Sequence, residues 1–496
     1  MATSKKDNSY RSILKSNTIF GGVRVFQMLI GIIRGKFVAM FLGPEGMGLA
    51  ALFNSTSDSV RKVASLGLNL AIVKDVAAAK DPQSLASTVL AIRRLLAFTA
   101  TAGLLVCLLF ASQISRLTFG NETYTYQILL LGAVVFLTIV WEGEMSVLQG
   151  LHKVKTLSAA TLVGSLTGLC IGVPLYWLWG YDGIVPAMLA YAVVMALFYT
   201  VSVRRHVSTA GLKFVWREHR SFIKALLLMG VILMVGDTIG SIVQYLVNIF
   251  IRTYGSLDHL GLWQGANSLT NQFAAVVFAA LAMDYLPRLT ALAKTGEDFS
   301  TVVNRQTEIS SLLIMPLSVL FILFAPLVVR LLLTTAYLPI VPLLRVLAVA
   351  LALRTAMIPL GYVTLAKDNK RVYFWLEAVW GNVQLLGLLV LGYHFGGIMG
   401  LGVATLVDNL LCLLIYTVVN RSLYGYLFSG KALGCIVLSV IFAAAALWMS
   451  VIPQQEISYS LMAVLAAAAT LISFHGLKKR LRNDTVEEKN EENDKI

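Results

Sequence analysis

Charged side chains are scarce in this chain of 496 residues: Asp, Glu, Lys and Arg make up 13% of it, against 57% hydrophobic residues. A soluble globular domain carries about 25% charged residues, so this composition excludes an ordinary soluble protein. Cysteine is also rare, and all four cysteines fall inside apolar runs: Cys107, Cys170, Cys412 and Cys435. A disulfide framework is therefore not expected.

Long polar segments are lacking as well. The largest connections between apolar runs, residues 204–224 and 288–305, hold only about 20 residues, too few for a soluble catalytic domain. The chain has no Gly-x-x-x-x-Gly-Lys-Ser/Thr loop for ATP, and its six histidines show no metal-ligand spacing. We therefore expect no cofactor, no metal and no enzymatic activity, and we expect the protein to act within the bilayer.

What the sequence does contain is apolar runs of about 20 residues, which recur from Thr18 to Phe474. Each of the about fourteen runs is long enough to cross a hydrocarbon core of roughly 30 Å. Segments of about ten residues with alternating hydrophobicity, the signature of membrane barrels, are absent. The runs predict an all-α polytopic membrane protein with about 14 transmembrane helices.

Basic residues are distributed unevenly between the connections. One alternating set of connections, together with both termini, holds 30 of the 40 Lys and Arg residues, whereas the other set holds only Arg116, Arg252 and Arg330. By the positive-inside rule, both termini are predicted to be cytoplasmic. The same asymmetry explains the net charge of +14 through contact with anionic membrane lipids, so no nucleic-acid partner is expected.

The chain also repeats itself. Gly48-Leu49 and Gly261-Leu262 are 213 residues apart, and Gly183-Ile184 and Gly397-Ile398 are 214 residues apart. Duplicated halves of this length are typical of membrane transporters whose substrate site lies where the repeats meet.

The repeat and the charge pattern together predict the organisation of the chain, with two related halves that are called lobes below. The predicted parts are a cytoplasmic N-terminal segment (1–16), a first lobe (17–206), a basic cytoplasmic inter-lobe loop (207–224), a second lobe (225–421), an extra C-terminal helix pair (422–476) and a disordered cytoplasmic tail (477–496).

Seven cations remain inside apolar runs: Arg24, Arg34, Lys36, Arg61, Lys62, Arg345 and Arg354. A cation near the bilayer centre costs about 2.5 kcal/mol or more, so each should face protein or water. Arg34 and Lys36 lie near the outer end of the first span and are expected to snorkel. Arg345 and Arg354 are about 180° apart on a helix, and the deeper Arg354 is predicted to face inward.

Arg24 has no acidic neighbour at helical spacing, which makes it the clearest candidate for a functional cavity. Asp58 precedes Arg61 and Lys62 by three and four residues, so a local ion pair is an equally good reading of that cluster. One carboxylate beside two cations still leaves positive charge in the membrane. We predict that Arg24, Arg61, Lys62 and Arg354 line a cavity for an anionic group.

Among the acids inside apolar runs, Asp237 and Asp408 stand alone in apolar surroundings. Desolvation raises the pKa of such a carboxyl toward the physiological range, so these two are candidates for ion coupling. The competing interpretation is a hydrogen bond between packed helices, made by a neutral acid.

Four sequence blocks carry a family resemblance. They are residues 43–51 (Gly-Pro-Glu-Gly-Met-Gly-Leu-Ala-Ala), 262–268 (Leu-Trp-Gln-Gly-Ala-Asn-Ser), 285–289 (Tyr-Leu-Pro-Arg-Leu) and 361–367 (Gly-Tyr-Val-Thr-Leu-Ala-Lys). In these blocks the chain resembles the Wzx-type O-antigen and enterobacterial common antigen translocases of the multidrug/oligosaccharidyl-lipid/polysaccharide exporter superfamily. The resemblance covers roughly residues 12–421, and the two C-terminal spans extend beyond it.

The resemblance implies a flippase of twelve core helices in two six-helix lobes with a pseudo-two-fold repeat, followed here by the C-terminal helix pair. A central cavity would open alternately to each side of the membrane. Its cargo would be an undecaprenyl-pyrophosphate-linked oligosaccharide, and its partners would be membrane lipids and other polysaccharide-assembly membrane proteins. The four predicted cations would neutralise the pyrophosphate. Asn54, Trp263, Gln264 and Asn267 would face the sugar hydroxyls.

Three rival functions remain. A peptidoglycan-precursor (lipid II) flippase shares the fold and the headgroup chemistry. A drug or cation antiporter of the same superfamily would prefer an acidic cavity, and a polysaccharide polymerase or ligase would need a large external loop. Since the chain has no ATP site, uphill transport would draw on a proton gradient or the membrane potential.

Overall fold

The computed structural model describes residues 3–79, 81–209, 216–295 and 298–493. All regular structure in these ranges is helical, which confirms the predicted all-α fold. Ten helical stretches in the described part are long and apolar enough to cross a membrane, so the protein is a polytopic membrane protein. Two of them, Val154–His206 and Lys370–Tyr424, hold 53 and 55 residues. Each would extend about 80 Å as one helix, more than two bilayer cores, and the count of fourteen spans stays a prediction.

The first of two compact units comprises Met1–Gly261 and Leu332–Thr334. Its helices are α1 (Thr3–Ser65), α2 (Leu68–Ala78), α3 (Pro82–Leu109), α4 (Ala111–Phe119), α5 (Thr125–Gly150), α6 (Val154–Thr167), α7 (Val173–Trp179), α8 (Ile184–His206) and α9 (Trp216–Tyr254). A π-helical segment, Gly168–Gly172, joins α6 to α7. The core of this unit is aliphatic and forms where α2, α3, α5 and α8 pack together, around Ile72, Ile92, Ile139 and Val203.

The second unit comprises Leu262–Leu331 and Thr335–Ile496. Its helices are α10 (Leu257–Thr295), which begins in the first unit, α11 (Ser300–Leu332), α12 (Val341–Ala366), α13 (Lys370–Tyr373), α14 (Gly381–Tyr424), α15 (Gly430–Met449) and α16 (Gln455–Asn493). A π-helical segment, Phe374–Trp380, joins α13 to α14. This core is richer in tyrosine, with Tyr285, Tyr416 and Tyr426 among its buried members.

Contacts place α9 with the first unit, where it packs against α1 and α2. The inter-lobe boundary predicted between residues 224 and 225 precedes most of α9, so compact packing and chain repeat divide the molecule at different points. The predicted boundaries of the lobes, loop and terminal segments stay a prediction.

Three glycines with positive φ break long helices. Gly43 (φ 64°, ψ −169°) interrupts α1 just before Pro44. Gly180 (φ 54°, ψ −127°) ends α7, and Gly397 (φ 55°, ψ −139°) interrupts α14 with nearly the same backbone conformation. These backbone angles are unfavourable for residues that carry a Cβ, which is why glycine occurs at each break.

The matched breaks support the internal repeat and correct its alignment. A Cβ on Gly183 would meet the carbonyl oxygen of Leu175, eight residues earlier, and a Cβ on Gly400 would meet that of Gly392, also eight residues earlier. Gly180 therefore corresponds to Gly397, and the pairing of Gly183 with Gly397 is wrong by three residues.

The other repeated pair, Gly48 and Gly261, meets directly. A Cβ on Gly48 would lie 3.1 Å from the backbone nitrogen of Gly261, and a Cβ on Gly261 would lie 3.0 Å from the backbone nitrogen of Gly48. The two glycines of the repeat thus mark a close crossing of α1 and the start of α10.

Candidate functional site

The first predicted cation, Arg61, lies on α1 beyond the break at Gly43 and is closed between two carboxylates. Its Nη2 donates to Asp58 Oδ1 at 3.0 Å, one helical turn earlier, and its Nη1 donates to Glu142 Oε2 on α5 at 2.6 Å. The Arg61 side chain is 13% exposed. The local ion pair with Asp58 is therefore present, and a second, long-range partner that spacing alone did not reveal completes the enclosure.

The neighbouring cation, Lys62, has a different environment. Its Nζ donates to the backbone carbonyl of Asp237 on α9 at 3.1 Å, and the side chain is partly exposed. Within the described part of the chain this carbonyl, rather than a carboxylate, is its hydrogen-bond partner. Asn69 adds a bond to Glu142 Oε2 at 3.3 Å, so the amide and Arg61 share that acid. Among the described residues, Lys62 therefore forms no salt bridge with a carboxylate.

In the second unit, Arg354 extends from α12 and is exposed, as its predicted inward orientation requires. Its Nη1 donates to Asn271 Oδ1 on α10 at 3.3 Å. Asn271 in turn donates through Nδ2 to Asn267 Oδ1 at 3.0 Å. The structure thus links a predicted cation to a predicted sugar-binding residue through an amide that the sequence analysis missed, although Asn271 lies one helical turn after Asn267.

The other arginine of α12 has a structural role. Arg345 Nη1 donates to the backbone carbonyl of Ser450, the residue that follows α15, at 3.2 Å. Arg345 and Arg354 therefore point to different surroundings, as their separation of about half a turn indicates.

Arg354 lines a cavity of about 310 Å³ within the second unit. Helices α10, α11 and α12 contribute to its wall, together with the residues around the π-helical segment Phe374–Trp380. Its polar and aromatic members include Tyr285, Gln306, Ser310, Arg354, Tyr373 and Glu377. Glu377, on the π-helical segment, is not among the residues predicted from the sequence. π-Helical turns inside longer helices are frequent at functional sites.

The two acids predicted for ion coupling differ in exposure. Asp408 on α14 is buried, but it is not alone, because Gln384 Nε2 donates to its Oδ1 at 3.0 Å. Asp237 on α9 is exposed, so the prediction of apolar surroundings that enclose it is wrong. The competing interpretation of Asp408 was a structural hydrogen bond, and the bond from Gln384 is of this kind. It joins the two segments of α14 on either side of the break at Gly397. The coupling roles of both acids stay predictions.

The remaining sugar-site candidates differ in burial and in hydrogen bonding. Asn54 is exposed on α1, and its amide donates to the Ala50 carbonyl of its own helix at 2.8 Å. Trp263 is only 4% exposed, and its indole nitrogen has no hydrogen-bond partner in the described part of the chain. Gln264 is partly buried in α10. The side chain of Arg24 lies outside the described residues.

Comparison with known families decides the affiliation of the chain. The profile of a family described as polysaccharide biosynthesis protein matches residues 37–342, more than half of the sequence. The chain belongs to this family. For this polysaccharide biosynthesis protein the matched region includes Arg61, Lys62 and the whole first unit beyond residue 37, whereas Arg354 and helices α13 to α16 lie beyond it.

Two relatives of this polysaccharide biosynthesis protein are named lipid III flippases. It is 27% identical over 282 residues to the lipid III flippase of Escherichia coli (strain K12), a match that covers 55% of this chain and 66% of the relative. A lipid III flippase from Shigella flexneri matches to the same extent. The matched segment thus spans just under two thirds of the length of these curated relatives.

Solved structures extend the likeness to almost the whole chain. The lipid II flippase MurJ in an inward closed conformation has a TM-score of 0.72 at 15% identity, and the match covers 94% of this chain and 99% of MurJ. An inward-facing multidrug resistance MATE transporter of the MOP superfamily has a TM-score of 0.65 at 18% identity, over 80% of this chain and 94% of its own. At such identities the likeness shows the fold alone.

Proposed function

We propose that this polysaccharide biosynthesis protein is a flippase for undecaprenyl-pyrophosphate-linked oligosaccharide repeat units. It moves them by alternating access from the cytoplasmic to the periplasmic leaflet of the bacterial inner membrane, for O-antigen or other surface polysaccharide assembly. The family match and the flippase relatives support a carrier of lipid-linked sugars rather than an enzyme. The short connections support the same choice, and Lys62, Arg354 and Asp408 lie in candidate membrane spans.

The observation that carries the proposal is the environment of Lys62. This ammonium lies in a candidate span and is partly exposed, and it bonds a neutral carbonyl oxygen. Holding a cation in a spanning segment is costly, and the cost is kept where the charge serves a substrate. Lysine is a common ligand of phosphate groups, so Lys62 suits the pyrophosphate of a lipid carrier.

Arg61 serves the same cargo less directly. Two carboxylates already neutralise its guanidinium, so a pyrophosphate competes with Asp58 and Glu142 for it. Arg61 consequently positions Glu142 and α5 in the described conformation and contacts cargo only if a carboxylate withdraws. The predicted role of Arg24 at the same headgroup remains part of the proposal.

The charges of this cluster do not separate an anionic cargo from a cationic one. Arg61 and Lys62 lie beside three acids, Asp58, Glu142 and the exposed Asp237, so the family match and not the charge balance argues against a cation antiporter. Lipid II carries the same pyrophosphate as the proposed cargo, so the fold match to MurJ makes lipid II the competing substrate. Sugar recognition, rather than headgroup charge, must distinguish the two.

Coupling to an ion gradient is part of the proposal. Asp408 is the buried candidate for proton exchange and Asp237 the exposed one. A translocation assay under an imposed pH gradient or membrane potential, with wild type, Asp408→Asn and Asp237→Asn, tests this part. A wild-type rate that ignores both gradients overturns the coupling and leaves a facilitated flippase.

The decisive experiment measures translocation in proteoliposomes, with lipid-linked oligosaccharide and lipid II as parallel cargoes. We expect transport of the oligosaccharide lipid and about tenfold slower transport by Lys62→Ala, the size of a lost charge-assisted contact. Lys370→Ala is the matched control, because Lys370 and its partner Asp368 are 84% and 80% exposed. Exclusive transport of lipid II, or equal rates for Lys62→Ala and the wild type, contradicts the proposal.

A further inference from the structure

Two sequence blocks that the proposed function does not use meet at the cavity of the second unit. Tyr285 comes from the block 285–289, and Gly361 and Tyr362 come from the block 361–367. The Tyr285 hydroxyl donates to the Pro359 carbonyl at 2.9 Å, and the rings of Tyr285 and Tyr362 lie edge to face with centroids 6.0 Å apart. Segments 74 residues apart in sequence therefore build one wall of the cavity.

The same wall leaves room for a carboxylate. A Cβ on Gly361 would lie 3.0 Å from Glu377 Oε1, so a larger residue there would press on the acid. Tyr416 lies close enough to interact electrostatically with the same carboxylate. Since an ionised carboxylate offers about four acceptor positions, Glu377 keeps acceptor capacity for a ligand.

The charge of the cavity does not suit a pyrophosphate. Arg354 provides one positive charge, while Glu377 in the lining and the nearby Asp408 both interact with it electrostatically. An anion with two or more charges would meet two carboxylates for one guanidinium, and like charges at close range are repulsive. An uncharged ligand that offers both donors and acceptors meets no such penalty.

The size of the cavity narrows the ligand further. Its volume of about 310 Å³ is at the lower end of the range of about 300 to 1,000 Å³ for small-molecule sites. It suits a single ring rather than a whole oligosaccharide. Guanidinium, carboxylate, amide and hydroxyl groups beside tyrosine rings match the alternating hydroxyls and apolar faces of a sugar.

We propose that this cavity binds one sugar residue of the translocated glycolipid, an inference that rests on the proposed function. Arg354 and Gln306 donate hydrogen bonds to sugar oxygens, Glu377 accepts from sugar hydroxyls, and Tyr373 covers the ring. Arg354 is thereby a sugar ligand rather than the pyrophosphate ligand that the sequence predicts. The cavity, and not the buried Trp263, then reads the identity of the cargo.

The test compares two ligands on the full-length protein in lipid nanodiscs: undecaprenyl pyrophosphate with one N-acetylglucosamine, and the same lipid without sugar. The wild type should bind the glycosylated lipid about tenfold more tightly, as expected for an added charge-assisted hydrogen bond. Glu377→Gln should remove this preference and leave the Kd of the unglycosylated lipid within about twofold. Gly361→Ala, which crowds the carboxylate, should reduce the preference in the same direction.

Glu456→Gln is the matched control, since it makes the same chemical change at an exposed residue. Each variant must elute as the same monodisperse species as the wild type. Equal wild-type Kd values for the two lipids, or an equal loss for both lipids in Glu377→Gln, overturn the sugar subsite while the flippase proposal stands. Binding of neither lipid by the wild type refutes the proposed function and, with it, the subsite.

Discussion

Each unit has an arginine in a candidate membrane span, and the surroundings of the two arginines differ. In the first unit Arg61 on α1 is enclosed by Asp58 and Glu142 and is 13% exposed. In the second unit Arg354 on α12 donates to an amide oxygen at 3.3 Å and lines a cavity. The two arginines are not repeat equivalents, but Asn271, the partner of Arg354, stands 213 residues after Asp58, which is the offset of the repeat.

The exchange of Asp for Asn at equivalent positions accounts for much of this difference. A carboxylate at position 58 accepts a charge-assisted bond and helps to close the first arginine. The amide at position 271 accepts a bond from Arg354 but carries no charge, so it does not neutralise the second guanidinium. Duplicated scaffolds can thus assign packing to one arginine and ligand binding to the other.

The largest expected effect is on folding. Arg61→Ala should lower the free energy of unfolding by about 3 kcal/mol, because it leaves two carboxylates without their shared cation. Chemical denaturation in detergent measures the effect. Arg61→Met combined with Asp58→Asn and Glu142→Gln should recover most of the loss, since neutral groups of similar size need no partner. An Arg61→Ala protein as stable as the wild type would refute the structural role of the pair.

Arg354→Gln should act on transport instead. We expect about a tenfold decrease in the translocation rate of the lipid-linked oligosaccharide, from loss of one charge-assisted contact with cargo. Its free energy of unfolding should change by less than about 1 kcal/mol, as is usual for an exposed residue. Arg345→Gln on the same helix is the comparison: it should lose stability through its bond to Ser450. A wild-type translocation rate for Arg354→Gln would show that the guanidinium makes no contact with cargo that matters for transport.

Asn271→Asp would convert the second unit toward the first. The new carboxylate should pair with Arg354 and compete with cargo, so we expect translocation to fall about fivefold while thermal stability stays equal or rises slightly. Gln454→Glu, at an exposed residue outside the cavity lining, serves as control for added negative charge. Unchanged transport in Asn271→Asp, or an equal loss in both variants, would break the proposed equivalence of positions 58 and 271.

The smallest effect is expected from the reverse change. Asp58→Asn should cost no more than about 1 kcal/mol of folding stability, because the Asp58 side chain is 56% exposed and solvent screens its pair with Arg61. Glu142→Gln, at 15% exposure, should cost more when measured by the same denaturation assay. A larger loss for Asp58→Asn would place the main anchor of Arg61 on its own helix.

Local features of these sites were predictable, and distant ones were not. The ion pair of Asp58 and Arg61 follows from their spacing of three residues, and a helix break at Gly43 follows from the proline after it. Glu142 lies 81 residues from Arg61, and Gln384 lies 24 residues from Asp408. Such pairings depend on which faces of two helices meet, and apolar periodicity does not determine that when helices are apolar on most sides.

The burial of Trp263 and the exposure of Asp237 have the same cause. The rotation of a helix about its axis decides whether a given residue faces lipid, protein or a cavity. The hydropathy of the apolar run is nearly the same for each of these rotations, so it does not reveal which one occurs. Residues of the blocks 285–289 and 361–367 line the cavity of the second unit. Their proximity to Glu377 depends on how α10, α12 and the π-helical segment pack, which the sequence does not show.

The most direct measurement compares translocation rates of undecaprenyl pyrophosphate with and without its oligosaccharide, in the same wild-type proteoliposomes and in protein-free vesicles. The account predicts transport of the glycosylated lipid well above the protein-free rate and faster than transport of the bare carrier. Rates for the glycosylated lipid no greater than in protein-free vesicles would contradict it.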